Sequence, residues 1–150
     1  MKAVLATDGT KYSEAALRML ENLDLGSGDQ IKVVCVVDMA VPLAVDIYGG
    51  YLPETTAIEN AAREHAAKVV DETVSALQDK FKDVEVTSEV LFGSPDSRIV
   101  ETAEELNADL IVIGSHGYNR WERLLLGSVS NSVVHHAHCS VLVARAEDRK

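Results

Sequence analysis

Two short glycine segments carry the densest chemical information in the chain. Gly114-Ser115-His116-Gly117 follows directly on the apolar run Leu110 to Ile113. Nine residues later comes Gly127-Ser128, just ahead of Val129, Ser130, Val133 and Val134. The chemistry these residue types suit is anion binding. Glycine admits positive φ and lets backbone N–H groups approach a ligand closely. A helix start adds unpaired N–H donors and the positive end of a dipole. Ser128 and Ser130 add hydroxyls able to donate to phosphate oxygens. Turn-making alone would explain either segment. Both together, in strand–loop–helix order, favour a phosphate cradle.

Other residues compete for attention. Asp8 follows a short apolar run. It can accept N–H bonds from Thr10 or Lys11 in a turn, and it can serve a ligand; the sequence leaves both roles open. His135, His136 and His138 resemble a metal tract. Successive helical residues point about 100° apart, so only His135 and His138 share a face, and nothing completes a shell. No metal site is expected there. Gly26-Ser27-Gly28 precedes a strand instead of following one, which makes it a helix-to-strand turn. No Gly-Lys-Ser/Thr occurs, so a P-loop is excluded. A phospho-acceptor reading of Asp8 lacks the acidic pair, the aspartate after the third strand and the late lysine that such chemistry needs.

These groups must be positioned by alternating strands and helices. Lys2 to Thr7 reads as a strand, and Ser13 to Leu23 as a helix with Ser13 as N-cap. Ile31 to Val37 is nearly all apolar and β-branched, as in a strand buried on both faces. Asp38 to Thr55 has no period and reads as a long loop of the kind that forms lids or binding segments. Thr56 to Lys80 is an amphipathic helix with Ile58, Ala62, Ala66, Val69, Thr73 and Leu77 on its buried stripe. Val84, Val86 and Val90 alternate in part with polar residues, a strand nearer a sheet edge. Ser94 as N-cap with Pro95 at the first helical position starts a helix running to about Asn107. Asp109 to Ile113 is a strand, Gly114 to Leu126 a loop, Gly127 to Ala137 a helix and Ser140 to Ala144 the last strand.

That order implies an α/β fold: one domain over residues 1–150 holding a doubly wound, five-stranded parallel sheet with helices on both faces. Ligands of such sheets bind at the C-terminal strand ends, where strand order reverses. Candidate chemistry therefore gathers at Thr7-Asp8, Val36 to Asp38, Phe92-Gly93 and Ile113 to Gly117.

Composition narrows the function classes. The chain has 150 residues, 47% hydrophobic, with a formal net charge of −10. So acidic a surface repels phosphate backbones, which argues against general nucleic-acid binding. No apolar run approaches the ~20 residues that span a bilayer, so no membrane association is expected. Met1-Lys2 leads at once into a strand without a secretory core segment, and Cys35 and Cys139 sit in apolar runs as buried thiols. A cytoplasmic protein is the expectation.

The glycine spacing resembles the G-2x-G-9x-G-(S/T) motif of the universal stress protein family. Thr7-Asp8-Gly9, Gly93-Ser94-Pro95 with Ile99 and Ala103, and Ala108 to Gly114 look like that family's first turn, third helix and fourth strand. Cys139-Ser140-Val141-Leu142-Val143 is similar to its closing strand, with Ser140 where proline is usual. The segment Asp38 to Thr55 is one where members differ.

The resemblance implies an ATP-binding member. The backbone at Ala6, Thr7 and Val36 would border adenine, and Asp8 would lie near the ribose and help hold Mg²⁺ on the phosphates. Ile113 leads into the cradle. Gly114, His116 and Gly117 would hold phosphates with Gly127, Ser128, Val129 and Ser130. A homodimer through Ser140 to Val143 is also implied. Mg²⁺ is the expected counter-charge; Arg120 and Arg123 are expected chiefly as solvated loop charges. Tyr48, Tyr51 and Trp121 either cover the site or meet a partner. The leading expectation is a nucleotide-dependent switch in stress response or signalling with a protein partner. A slow ATPase or phosphotransferase, with Asp8 and His116 as its only candidate bases, is the alternative. A nucleotide-independent interaction module is the third.

Overall fold

A computed structural model describes residues 1–38, 53–116 and 126–146. The expected loop from Asp38 to Thr55, with Tyr48 and Tyr51, falls mainly outside them, as do Gly117, Arg120, Trp121 and Arg123. The elements run β1 (Lys2–Ala6), α1 (Lys11–Glu21), β2 (Gln30–Asp38), α2 (Pro53–Lys80), β3 (Glu85–Gly93), α3 (Pro95–Leu106), β4 (Leu110–Gly114), α4 (Ser128–His136) and β5 (Ser140–Ala144).

All strand pairs are parallel, in the order β3-β2-β1-β4-β5. The chain winds outward from β1 to β3 and then returns to build β4 and β5 on the other side. Strand order therefore reverses between β1 and β4. Alternation along the strands splits the core. Ala3, Leu5, Ile31, Val33 and Val112 pack with Ala16, Leu20, Leu77 and Phe81 of the α1–α2 layer. Val4, Ala6, Val34, Ile111 and Ile113 pack with Ile99, Ala103 and Val133 of the α3–α4 layer. Period-two side-chain direction produces this division. β3 lies at an edge, as its mixed pattern predicts, with Thr87, Ser88 and Glu89 exposed.

Several local expectations change. The N-cap of α1 is Thr10, whose Oγ1 accepts from the Ser13 N–H (3.5 Å). Ser13 is instead buried inside the first turn, where its hydroxyl donates to the Thr10 carbonyl (3.0 Å). α2 starts at Pro53, three residues ahead of expectation, and Ile58 is 56% exposed because the helix packs only further along, at Ala66, Val69, Val70, Thr73 and Leu77. Cys35 is buried, but Cys139 is only half-buried because it enters the edge strand β5. Ser94 does occupy the N-cap of α3, yet its hydroxyl bonds Asp96 rather than a helix N–H.

That Asp96 bond belongs to a clamp between two helices. Asp96 Oδ2 accepts from Ser132 of α4 (2.6 Å) and Oδ1 from Ser94 (2.6 Å). The Ser132 bond, then the Ser94 bond, hold the carboxyl below the usual aspartate range. A second constraint lies at the end of β4. A Cβ on Gly114 would sit 2.6 Å from the Tyr12 carbonyl carbon and 2.7 Å from its oxygen. Backbone atoms cannot swing aside, so only glycine lets α1 cross here.

Two outcomes follow. Asp96→Ala is expected to lower stability by roughly 1 kcal/mol, discounted for partial exposure, or about 3 °C in Tm. The clamp's contribution is full above the unfolded carboxyl value of about 3.9 and is lost as pH falls through the lower folded value. The gap between wild type and variant in thermal melts should therefore close in acid below about pH 4. Gly114→Ala is expected to cost about 2–3 kcal/mol through overpacking, read by urea denaturation; a neutral substitution would refute the close crossing.

Candidate functional site

The C-terminal ends of β1, β2 and β4 open into one cleft of about 360 Å³, between α2 on one face and the starts of α3 and α4 on the other. Eleven of the expected residues line it: Ala6, Thr7, Asp8, Val36, Ile113, Gly114, His116, Gly127, Ser128, Val129 and Ser130. Gly117 lies outside the described residues. The reversal of strand order between β1 and β4 creates the opening, because the crossovers leave the two strands towards opposite faces.

Ser115 joins the two glycine segments. Its carbonyl accepts the Gly127 N–H (2.7 Å) and the Ser130 hydroxyl (2.9 Å), while its own N–H donates to the Ala144 carbonyl (2.7 Å). The start of α4 is thereby stitched to the end of β4. The physical role of the glycines differs from expectation. Gly127 has φ −69°, and Gly114 is absent from the positive-φ residues. Close approach to their own chain, not left-handed backbone, marks these two positions: a Cβ is excluded at Gly114 by the Tyr12 backbone and crowded at Gly127, 3.2 Å from the Ser115 carbonyl oxygen. Ser130 also differs. Its hydroxyl is committed to the Ser115 and Gly127 carbonyls (2.9 and 3.0 Å), so it braces the helix start instead of offering a proton outward.

The first turn of α4 has amides without intrahelical acceptors. Its charge setting is distinctive. α1 carries Glu14 and α3 carries Asp96 in the first turn, but α4 carries no acidic residue there. Its positive dipole end, worth about half a charge, stays uncompensated by its own side chains. Ser128 stands exposed at this first turn.

The remaining walls are mixed. Asp8 Oδ1 accepts from the Thr10 N–H (3.0 Å) and the Thr10 hydroxyl (2.7 Å), which is the turn role foreseen for it. His116 places Nδ1 3.1 Å from Ser115 Oγ and tilts its ring against Tyr12, centroids 5.1 Å apart. Burial, then the nearby Asp8 charge, pushes the Cys35 thiol up to about 11, so it stays protonated at neutral pH and is a poor nucleophile. Sequence reasoning missed Ala62, His65 and Ala66 of α2, and Pro95 and Ile99 of α3, all of which line the cleft. The helical pattern marks Ala62 and Ala66 only as core positions, and His65 lies beside them on the same helical face.

His135 and His136 each place Nδ1 2.8 Å from a carbonyl of their own helix, those of Asn131 and Ser132. Among the described residues no group of three or more His, Cys, Asp or Glu is placed to hold a metal. Asp8 and Asp38 are the carboxylates on the described wall of the cleft. That suits a cation whose other ligands come from a bound phosphate and water, the usual habit of Mg²⁺. Among the described residues no helix is long and apolar enough to cross a membrane.

Comparison with known proteins agrees in extent as well as in kind. A Staphylococcus aureus (strain USA300) relative carrying the universal stress protein name is 34% identical over 146 residues, 97% of this chain and 84% of its own. The solved structure of hypothetical protein MJ0577, at 24% identity, superposes with a TM-score of 0.81 over 98% of this chain and 96% of that one. An Arabidopsis thaliana universal stress protein family structure with AMP bound, at 16% identity, gives 0.70 over 99% and 93%. The family profile described as the universal stress protein family matches residues 1–145, and the chain belongs to that family.

Proposed function

We propose that the cleft binds an adenine nucleotide, ATP with Mg²⁺, and that occupancy switches a homodimer which acts on a protein partner in stress response or signalling. The observation that carries the reading is the start of α4. Its amide turn lacks an acidic residue, is fixed by Ser115 and opens into a cleft of about 360 Å³. Such a terminus is an anion site, and the volume is that of a small-ligand pocket. The AMP in the Arabidopsis relative supports a nucleotide as the ligand class.

The same axis suits the parts of the ligand. Strands β2, β1 and β4 stand side by side, about 4.8 Å apart. The apolar end at Val34, Val36, Ala62, Ala66 and Ile99 fits a base, and the β4–α4 end fits phosphates. Asp8 lies between and would take one position on Mg²⁺. Dimerisation is proposed through β5, a sheet edge with no further strand beside it among the described residues, whose Val141, Leu142 and Val143 are half-exposed. A switch further requires that ATP bind the two states with different affinity.

Calorimetry with ATP and Mg²⁺ tests the site. Wild type should bind, and ATP at a hundred times Kd should raise Tm by roughly 5–10 °C, given about 2.7 kcal/mol of linkage. In Gly127→Val the added side chain starts 3.2 Å from the Ser115 carbonyl oxygen. It should weaken binding at least about tenfold, and Gly117→Val should do the same. Melting without ligand reports whether each variant is folded. Unchanged ATP affinity in both folded variants would remove the assignment.

A further inference from the structure

A second, smaller cleft of about 210 Å³ lies between α1 and α2 at the end of β1. It shares Thr7 and Ser13 with the larger cleft, but its remaining walls are its own. Helical spacing builds it. Ser13, Glu14 and Leu17 lie on one face of α1, and Val69, Glu72 and Thr73 lie on one face of α2. Gly9 brings the β1 turn against α2. A Cβ there would sit 2.8 Å from Val69 Cγ2, and its φ of +77° is the left-handed region that glycine tolerates.

The polar groups on these walls are alike in kind. The Ser13 hydroxyl gives its proton to the Thr10 carbonyl (3.0 Å), and the Thr73 hydroxyl to the Val69 carbonyl (2.8 Å). Each therefore offers only lone pairs to the cleft. Glu14 and Glu72 add carboxylate oxygens. Their ion pairs, with Arg18 at 3.7 Å and Lys68 at 3.8 Å, are exposed and longer than a hydrogen bond, so those oxygens are open to a further donor. Thr7 is only 8% exposed. Side-chain alternation puts it on the face of Leu5, towards α1 and α2. Its N–H bonds the Val34 carbonyl (2.9 Å), but its hydroxyl has no hydrogen-bond partner among the described residues. A buried hydroxyl in that position calls for a group that bonds it.

We propose that this smaller cleft binds a small organic ammonium ion, a primary alkylamine in its protonated form. An ammonium group is a pure donor with three N–H bonds. The walls answer it with acceptors: the oxygens of Ser13, Thr73, Glu14 and Glu72, beside the Thr7 hydroxyl. Leu17 and Val69 give an alkyl stem an apolar wall, which a bare metal ion would not use. The volume is several times the roughly 30 Å³ share of one water molecule, enough for a head group and a short stem. The formal net charge of −10 draws cations towards the mouth. Two exposed glutamates alone would be a solvated surface. The buried hydroxyl oxygens behind them, and Thr7 above all, turn that surface into a site.

The test is an NMR titration of the nucleotide-free protein with n-butylammonium chloride, run beside potassium chloride and n-butanol. n-Butylammonium should shift the Gly9 amide and the Leu17 and Val69 methyl signals saturably, with a Kd of about 1 mM or tighter. Neither comparison solute should reproduce those shifts. Thr73→Val keeps the side-chain shape and removes an acceptor, and it should weaken binding about fivefold. Glu72→Gln removes charge from an exposed position and should weaken binding about threefold. Thermal melts report that both variants are folded. Potassium chloride that shifts the same signals with the same affinity overturns the inference in favour of a bare cation. Butanol that does so overturns it in favour of a merely apolar groove. No saturable shift, or wild-type affinity in both folded variants, overturns it as well. ATP binding is measured separately, and none of these outcomes bears on it.

Discussion

The backbone of Ser115 is the joint on which the site depends. One carbonyl takes two donors from the start of α4, and the amide of the same residue ties β4 to β5. These bonds join 115 directly to 127 and 130. The direction of the α4 amides is therefore fixed by short bonds to the end of β4. Gly114 makes the joint possible from the other side, since any side chain there would meet the Tyr12 backbone. The packing of α1, the exit of β4 and the aim of α4 are one steric solution.

Charge poses the next constraint. The chain carries a net −10, and the cleft itself contains Asp8 and Asp38. An anion entering it needs positive potential that side chains of the described cleft supply only sparingly. Backbone dipoles answer this at short range. Helices α1 and α3 compensate their own N-terminal dipoles with Glu14 and Asp96, while α4 leaves its end open. The acidic exterior and an anion site are compatible because exposed charges are screened within about 8 Å at physiological salt. The helix terminus acts at contact distance.

The sequence made the fold legible because its signals were strong and mutually consistent. Ile31 to Val37, nearly all apolar, and Leu110 to Ile113 suit strands of a sheet covered on both faces, and Ser94-Pro95 punctuates a helix start without ambiguity. The strand ends that hold the cleft followed from that order. Less visible were contacts that join distant segments. Thr10 outcompetes Ser13 as cap because Ser13 is drawn into the buried face of the turn. Ile58 fits the helical period but lies on a stretch of α2 beyond the packed layer. His65 carried no local signal at all. A histidine on an amphipathic helix is unremarkable until the helix is laid across the β1 turn. The reason for each glycine was hidden for the same cause: the atoms that exclude a side chain at Gly114 belong to Tyr12, and those that crowd one at Gly127 belong to Ser115 and His116.

The arrangement also bears on how occupancy of the cleft would reach a distant surface. α4 is nine residues long, about 13 Å from its amide end to its last turn. Its first turn faces the cleft, its middle is tied to α3 by the Asp96–Ser132 bond, and its last turn leads within four residues into β5. A ligand that pulls on the first turn therefore acts on an element braced against α3 and continuous with the sheet edge proposed for pairing. Packed helices move as rigid units with discrete arrangements rather than by gradual bending. On that view the Asp96 clamp decides how much of a displacement at Ser128 is spent in α3 and how much arrives at Ser140. The proposed switch then needs no separate messenger between nucleotide and dimer edge, because α4 belongs to both.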